Sequence, residues 1–185
     1  MVLQNFPSRS LHDLGLAAWF GGTLANAVSL NRAAAETDRY STAGRVTNAG
    51  WDAWTPVNAA AIAAHLVGAV GQLAGNRDRL AGQKGVAGMS AIKTVLTAAA
   101  LGVTAYSRVL GRKVSEHRDV PVESGTEPAE TTPPEVADAQ RQLKALQWAV
   151  PALTGALVVV TAYAGEQQRP TAVKEGVLQR LNPLS

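Results

Sequence analysis

Six ionisable side chains lie in or beside long apolar stretches of this chain: Asp13, His65, Lys93 and Glu166, and a second group of Asp52 and Arg108. Polar groups in such surroundings are expensive to keep, so each is a candidate for function. A histidine, a lysine and carboxylates at one end of a helical bundle are the parts of a proton relay. They equally suit a site for a quinone, a lipid headgroup or a proton-coupled substrate. The plainer reading makes His65 a hydrogen-bonded packing residue, and makes Lys93 a side chain that snorkels or pairs with Asp13 or Glu166. Asp52 and Arg108 read as a structural ion pair, because either charge alone at an apolar boundary is costly. Asn26 and Asn58 read as interhelical hydrogen bonders, each worth about 0.6–1.7 kcal/mol.

Metal and redox chemistry find little support. The chain has no cysteine and two methionines, which leaves no thiolate site. A haem held by His65 and His12 needs both rings at one depth. Counting 1.5 Å per residue puts His65 roughly 12 Å inside its apolar run and His12 at the mouth of the first. His117 falls in an acidic segment on the opposite side. Zinc and copper sites lack second and third clustered ligands. No cofactor is expected.

The elements that must position these residues are four Ala- and Gly-rich runs, at about 14–30, 53–74, 88–110 and 145–165. The last contains no charged residue from Ala145 to Gly165, enough to cross a hydrocarbon core about 30 Å thick. Four crossings predict an all-α integral membrane bundle, one domain over 1–185, with short-linked runs as antiparallel neighbours. Gly21, Ala25 and Ser29, and Ala60, Ala64 and Gly68, recur every four residues as small-residue contact faces. Trp51 and Trp54 suit a membrane–water boundary, and Pro56 a helix start. The acidic, Pro-rich stretch 115–138 predicts a flexible extramembrane loop that buries nothing. The polar tail 166–185 carries Val173, Val177, Leu178 and Leu181 at the spacing of one short surface helix. Leu14–Leu24 followed by Ala25-Asn26-Ala27 has the outline of a signal peptide, but its lead-in has Arg9 as the sole basic residue, so retention is expected.

Mean hydropathy is only +0.01, because Ala and Gly rather than Leu and Ile carry the apolar runs. The net charge of +3 does not indicate nucleic acid. Basic residues sit at the ends of the runs, as in Arg108, Arg112 and Lys113, where they meet lipid headgroups instead of forming one DNA-facing stripe. The GxGxxG, Walker, GxSxG, HExxH and EF-hand patterns are missing, and no catalytic residues are assigned.

Trp19-Phe20-Gly21-Gly22, then Trp51-Asp52-Ala53-Trp54-Thr55-Pro56-Val57-Asn58 and Ala105-Tyr106-Ser107-Arg108, resemble small uncharacterised four-helix membrane proteins of high-GC bacteria. The Trp-Phe-Gly-Gly element is also similar to the opening helix of copper-resistance D-type membrane domains. The resemblance implies a four-helix membrane fold and carries no established activity.

Two functional expectations result. The first is a non-enzymatic, multi-pass cell-membrane protein, an accessory or assembly subunit of a larger envelope complex, with lipid and other membrane subunits as partners. The alternative is a small-molecule, lipid or quinone binder, or a proton-coupled transporter, built on Asp13, His65, Lys93 and Glu166.

Overall fold

Long helices follow from the dominance of Ala, Leu and other good helix formers, with Gly and Pro concentrated where helices begin, end or touch. The computed structural model describes residues 5–37, 40–77, 85–117 and 120–166, and nearly all of them are helical. Helix α1 spans Phe6–Ala25, with Pro7 in its first turn where a missing N–H is harmless. It continues through a π-helical turn, Asn26–Leu30, into a short α2, Asn31–Ala35. Helix α3 spans Tyr40–Gly75, α4 spans Val86–Ser115 and α5 spans Pro134–Glu166. Gly85 turns the chain into α4 with φ at 86°, a left-handed conformation that a Cβ would strain.

Three helices are long and apolar enough to cross a membrane: Thr42–Gly75 within α3, then α4 and α5. Helix α1 falls outside that set because Arg9, His12 and Asp13 occupy its first half. The helices also overrun the apolar runs. Leu110 and Val114 of α4 pack on Val136 and Ala139 of α5, so tertiary burial extends both helices past the lipophilic sequence. Pro56, expected at a helix start, instead lies inside α3. Helix α3 begins at Tyr40, well before the apolar run expected at 53–74.

One residue from each long helix meets at the centre: Trp19, Ala61, Ala100 and Val150. Helix α1 packs chiefly on α3 and next on α5, and α4 packs on α5. Among the described residues helices α3 and α4 hardly touch, although only the connection 76–85 separates them in the chain. The expectation that this connection makes them neighbours is therefore corrected. Their facing sides carry mixed polar and small residues, whereas glycines on α1 and α3 permit the closer fit.

The small-residue faces are also rotated from expectation. Gly21, Ala25 and Ser29 are exposed, and nothing lies within 4 Å of a Cβ built on Gly21. The close approach uses Gly15 against the Ala61 carbonyl and His65 backbone, and Gly68 against the backbone of Ser8 and His12. Gly75 lies by Asn5, Gly71 by Ser8, Gly22 by Trp54 and Gly50 by Leu30.

The acidic segment is not a bare loop, which corrects that expectation. Residues 120–133 fold against one end of the helices, with Val122 only 3% exposed and set beside Gly44. A bridge pairs Val122 with Pro128, and the buried Gln140 amide donates to the Ser124 carbonyl at 3.2 Å. Lys144 reaches Glu127 at 2.5 Å. Side chains meet the backbone here: the Thr132 hydroxyl accepts from the Ala129 N–H and donates to the Pro121 carbonyl, and Ser124 Oγ accepts from the Thr126 N–H. Residues 167–185, with the expected surface helix of Val173, Val177, Leu178 and Leu181, lie outside the described residues.

Candidate ligand cleft between α3 and α4

Because α3 and α4 stand apart, a cleft runs between them, floored by α1 and α5. It divides into two cavities, of about 560 Å³ and about 350 Å³. Leu101 contributes to both walls. Two polar contacts cross the gap, His65 to Thr97 in one half and Asp52 to Arg108 in the other.

The larger cavity is lined by Arg9, His12, His65, Gln72, Lys93 and Thr97, among others. His12 and His65 are both buried, with ring centroids 4.4 Å apart and planes inclined at 41°. The depth count that separated them is corrected: α1 begins at Phe6, well before its apolar run, and Gly68 brings His12 level with α3. This closeness still leaves no room for a macrocycle between the rings, so the pair cannot flank a haem iron. Among the described residues no three His, Cys, Asp or Glu side chains gather as a metal site.

Hydrogen-bond direction fixes the ring tautomers. His65 Nδ1 faces the His12 carbonyl at 3.4 Å, and a carbonyl only accepts, so Nδ1 carries the proton. His65 Nε2 then accepts from the Thr97 hydroxyl at 3.4 Å. His12 Nδ1 donates to Asp13 Oδ1 at 2.8 Å, and its Nε2 is buried without a partner among the described residues. The Trp19 indole closes the apolar side of His65, edge-on at 6.0 Å.

Of the expected cluster Asp13, His65, Lys93 and Glu166, the structure joins Asp13 and His65 through His12. Asp13 also meets Arg9 at 3.7 Å. Lys93 lines the same cavity but forms no ion pair among the described residues, so the pairing with Asp13 or Glu166 is replaced by Arg9 and His12 at Asp13. Glu166 is exposed at the end of α5, next to Gly165 of the cavity wall.

The smaller cavity has apolar walls from Ile62, Leu101, Leu143, Leu146 and Val150. Arg108 Nη1 donates to Asp52 Oδ1 at 3.0 Å, with both side chains about one-third exposed. Among the described residues Asn26 and Asn58 do not act as the expected interhelical bonders: Asn26 Nδ2 and Asn58 Oδ1 are buried without partners there. That role falls to Asn31, which donates to Gln147 Oε1 at 2.5 Å and accepts from Trp51 Nε1 at 3.3 Å.

Sequence reading missed Trp54, Thr104, Ser107, Asn31 and Gln147 as parts of a site. The signal was present as spacing. Trp51, Trp54, Thr55 and Asn58 on α3 follow i, i+3, i+4, i+7, and Thr104, Ser107, Arg108 and Gly111 on α4 repeat it. Two such stripes on facing helices define one wall each. None of the known family models matches this chain, and neither a curated protein nor a solved structure does.

Proposed function

We propose that the chain is a multi-pass cell-membrane protein, an antiparallel bundle of four transmembrane helices, which holds a small lipophilic molecule in the cleft between α3 and α4. The observation that carries this reading is the cleft itself. Its walls are apolar, yet buried polar atoms without partners project from both facing helices, the composition expected of a small-molecule site.

The membrane part rests on what faces outward. In α4 only 6% of the most apolar window is buried, and Ile92, Val95 and Val109 are exposed. A helix that keeps its apolar residues outside is suited to lipid, not water. Helix α1 joins as the fourth span, since Ser8 and His12 turn to α3 and its apolar run continues through the π turn. The head-to-tail order of the Gly75–Asn5, Gly68–His12, Gly22–Trp54 and Gly50–Leu30 approaches supports the antiparallel arrangement.

Extraction of the detergent-purified protein into organic solvent, followed by mass spectrometry, tests the binding role. A lipophile recovered near one per chain is expected. Recovery of bulk lipid alone would remove the reading, as would release of the protein from membranes by alkaline carbonate.

A second reading, an accessory subunit of a larger envelope complex, is favoured by the breadth of the exposed apolar face of α4. Crosslinking in native membranes through that face distinguishes it, by yielding a defined protein adduct.

A further inference from the structure

Several threonines on these helices satisfy themselves. Thr23, Thr47, Thr55, Thr94 and Thr154 each donate to the carbonyl four residues back, at 2.7–3.0 Å. Thr104 and Ser107 are exceptions, with buried oxygens that find no partner among the described residues. Trp54 Nε1, Arg108 Nε and Asn58 Oδ1 are buried and unpartnered in the same way. All five residues line the smaller cavity.

An indole N–H and a guanidinium Nε–H can only donate, and a hydroxyl does either. Asn58 Oδ1 can only accept, so a donor is wanted there, but the two nitrogen donors, Trp54 Nε1 and Arg108 Nε, lack an acceptor, and leaving them unmet in an apolar place is costly. The charge of Arg108 is already answered by Asp52 at 3.0 Å, so a second carboxylate would bring uncompensated negative charge beside the first. A neutral acceptor meets both conditions. The Trp54 ring lies hard against Gly22, where any Cβ would occupy the six-membered ring's place, so its N–H is held in one position.

Resting on the reading of a lipophile in the cleft, we propose that the Trp54–Arg108 end receives the carbonyl oxygen of a neutral lipophile, a quinone ring or a carboxylic ester. Trp54 Nε1 and Arg108 Nε donate to that oxygen, and Thr104 and Ser107 serve a second oxygen. The hydrocarbon part lies along Ile62 and Leu101 toward the larger cavity. About 350 Å³ is adequate for a ring or an ester group and the first part of its chain.

The test titrates the purified protein in detergent with a decyl-substituted benzoquinone, methyl oleate and sodium oleate. Quenching of tryptophan fluorescence reads the quinone, and its reversal reads competition by the other two. Saturable quenching that methyl oleate does not reverse assigns the site to a quinone. Reversal by methyl oleate shows that the shared carbonyl is recognised; a thermal shift with methyl oleate but no saturable quenching assigns it to an ester. In Trp54→Phe the affinity should fall about tenfold, the worth of one hydrogen bond, and Ser107→Ala should weaken it less. Preference for oleate would overturn the proposal, and so would affinity unchanged in both variants. In that last case a lipophile still recovered from the native protein leaves the cleft reading standing; recovery of none removes both.

Discussion

His12 and His65 stack with their ring centroids 4.4 Å apart, although 53 positions separate them in the chain. The contact exists because two glycines remove side chains at the right places. Gly15 lets α1 reach the Ala61 carbonyl, and Gly68 lets α3 reach the backbone of His12. Backbone approach of this kind is how helices associate where no hydrophobic force separates them from their solvent. The stack and the larger cavity both depend on that one interface.

Gly15→Ala should therefore be damaging. Its methyl group meets backbone atoms of α3 that have no flexible way to yield. Overpacking of this kind costs about 1–3 kcal/mol, read as a lowered midpoint of thermal unfolding in detergent. Gly21→Ala, with nothing within 4 Å of its Cβ, should leave the midpoint unchanged or raise it slightly. Equal effects from the two changes would mean that α1 is rotated from the orientation described.

These glycines show why part of the fold was legible in sequence and part was not. Helix type and approximate position follow from composition, since Ala-rich runs without breakers leave few alternatives. Rotation about the helix axis does not follow, because a helix with Ala and Gly on every side has no distinct apolar stripe. Thus Gly21, Ala25 and Ser29 match the spacing of a contact face as well as Gly15 and Gly22 do. Depth was misjudged at His12 because the apolar run was taken as the helix, while Phe6–Leu11 extends α1 by packing on α3. The Asp52–Arg108 approach could be anticipated because opposite charges at corresponding heights have few other partners. The donor-lined cavity beside it could not, since it is made by the absence of contact between α3 and α4.

Asp52 and Arg108 should show coupling in a double-mutant cycle. Each side chain is about one-third exposed, so the pair is worth less than a fully buried one. A coupling of about 1–2 kcal/mol between Asp52→Asn and Arg108→Leu is expected from thermal unfolding. Strict additivity would place the two groups apart in the folded protein.

The acidic segment provides a third test. Gln140 is fully buried, and its amide holds the Ser124 carbonyl in place. Gln140→Ala should cost about 1 kcal/mol by leaving that carbonyl unmet, and should release residues 120–133 from the helix ends. Limited proteolysis reads the second effect: cleavage within this stretch should be slow in the wild type and markedly faster in the variant. Rapid cleavage of the wild-type chain here would contradict the packing of Val122 and Gln140.

The fourth prediction asks what surrounds α4. Val95 is 68% exposed within the apolar part of this helix, on an outer face it shares with Ile92 and Val109. If lipid covers it, Val95→Lys places a charge in hydrocarbon, at a cost of about 2.5–3.5 kcal/mol for insertion of the helix. The yield of membrane-inserted protein should then fall severalfold, with the remainder degraded or aggregated. Val95→Leu should be neutral, because it keeps the surface apolar. A matching change near the helix end, Val109→Lys, should be milder, since a lysine there reaches the headgroups by extending its chain. The depth dependence separates lipid from a covering protein subunit, whose effect would follow the contact made at each position and not its distance from the helix end. If Val95→Lys is instead as well tolerated as Val95→Leu, the outer face of α4 is in water and the membrane reading fails.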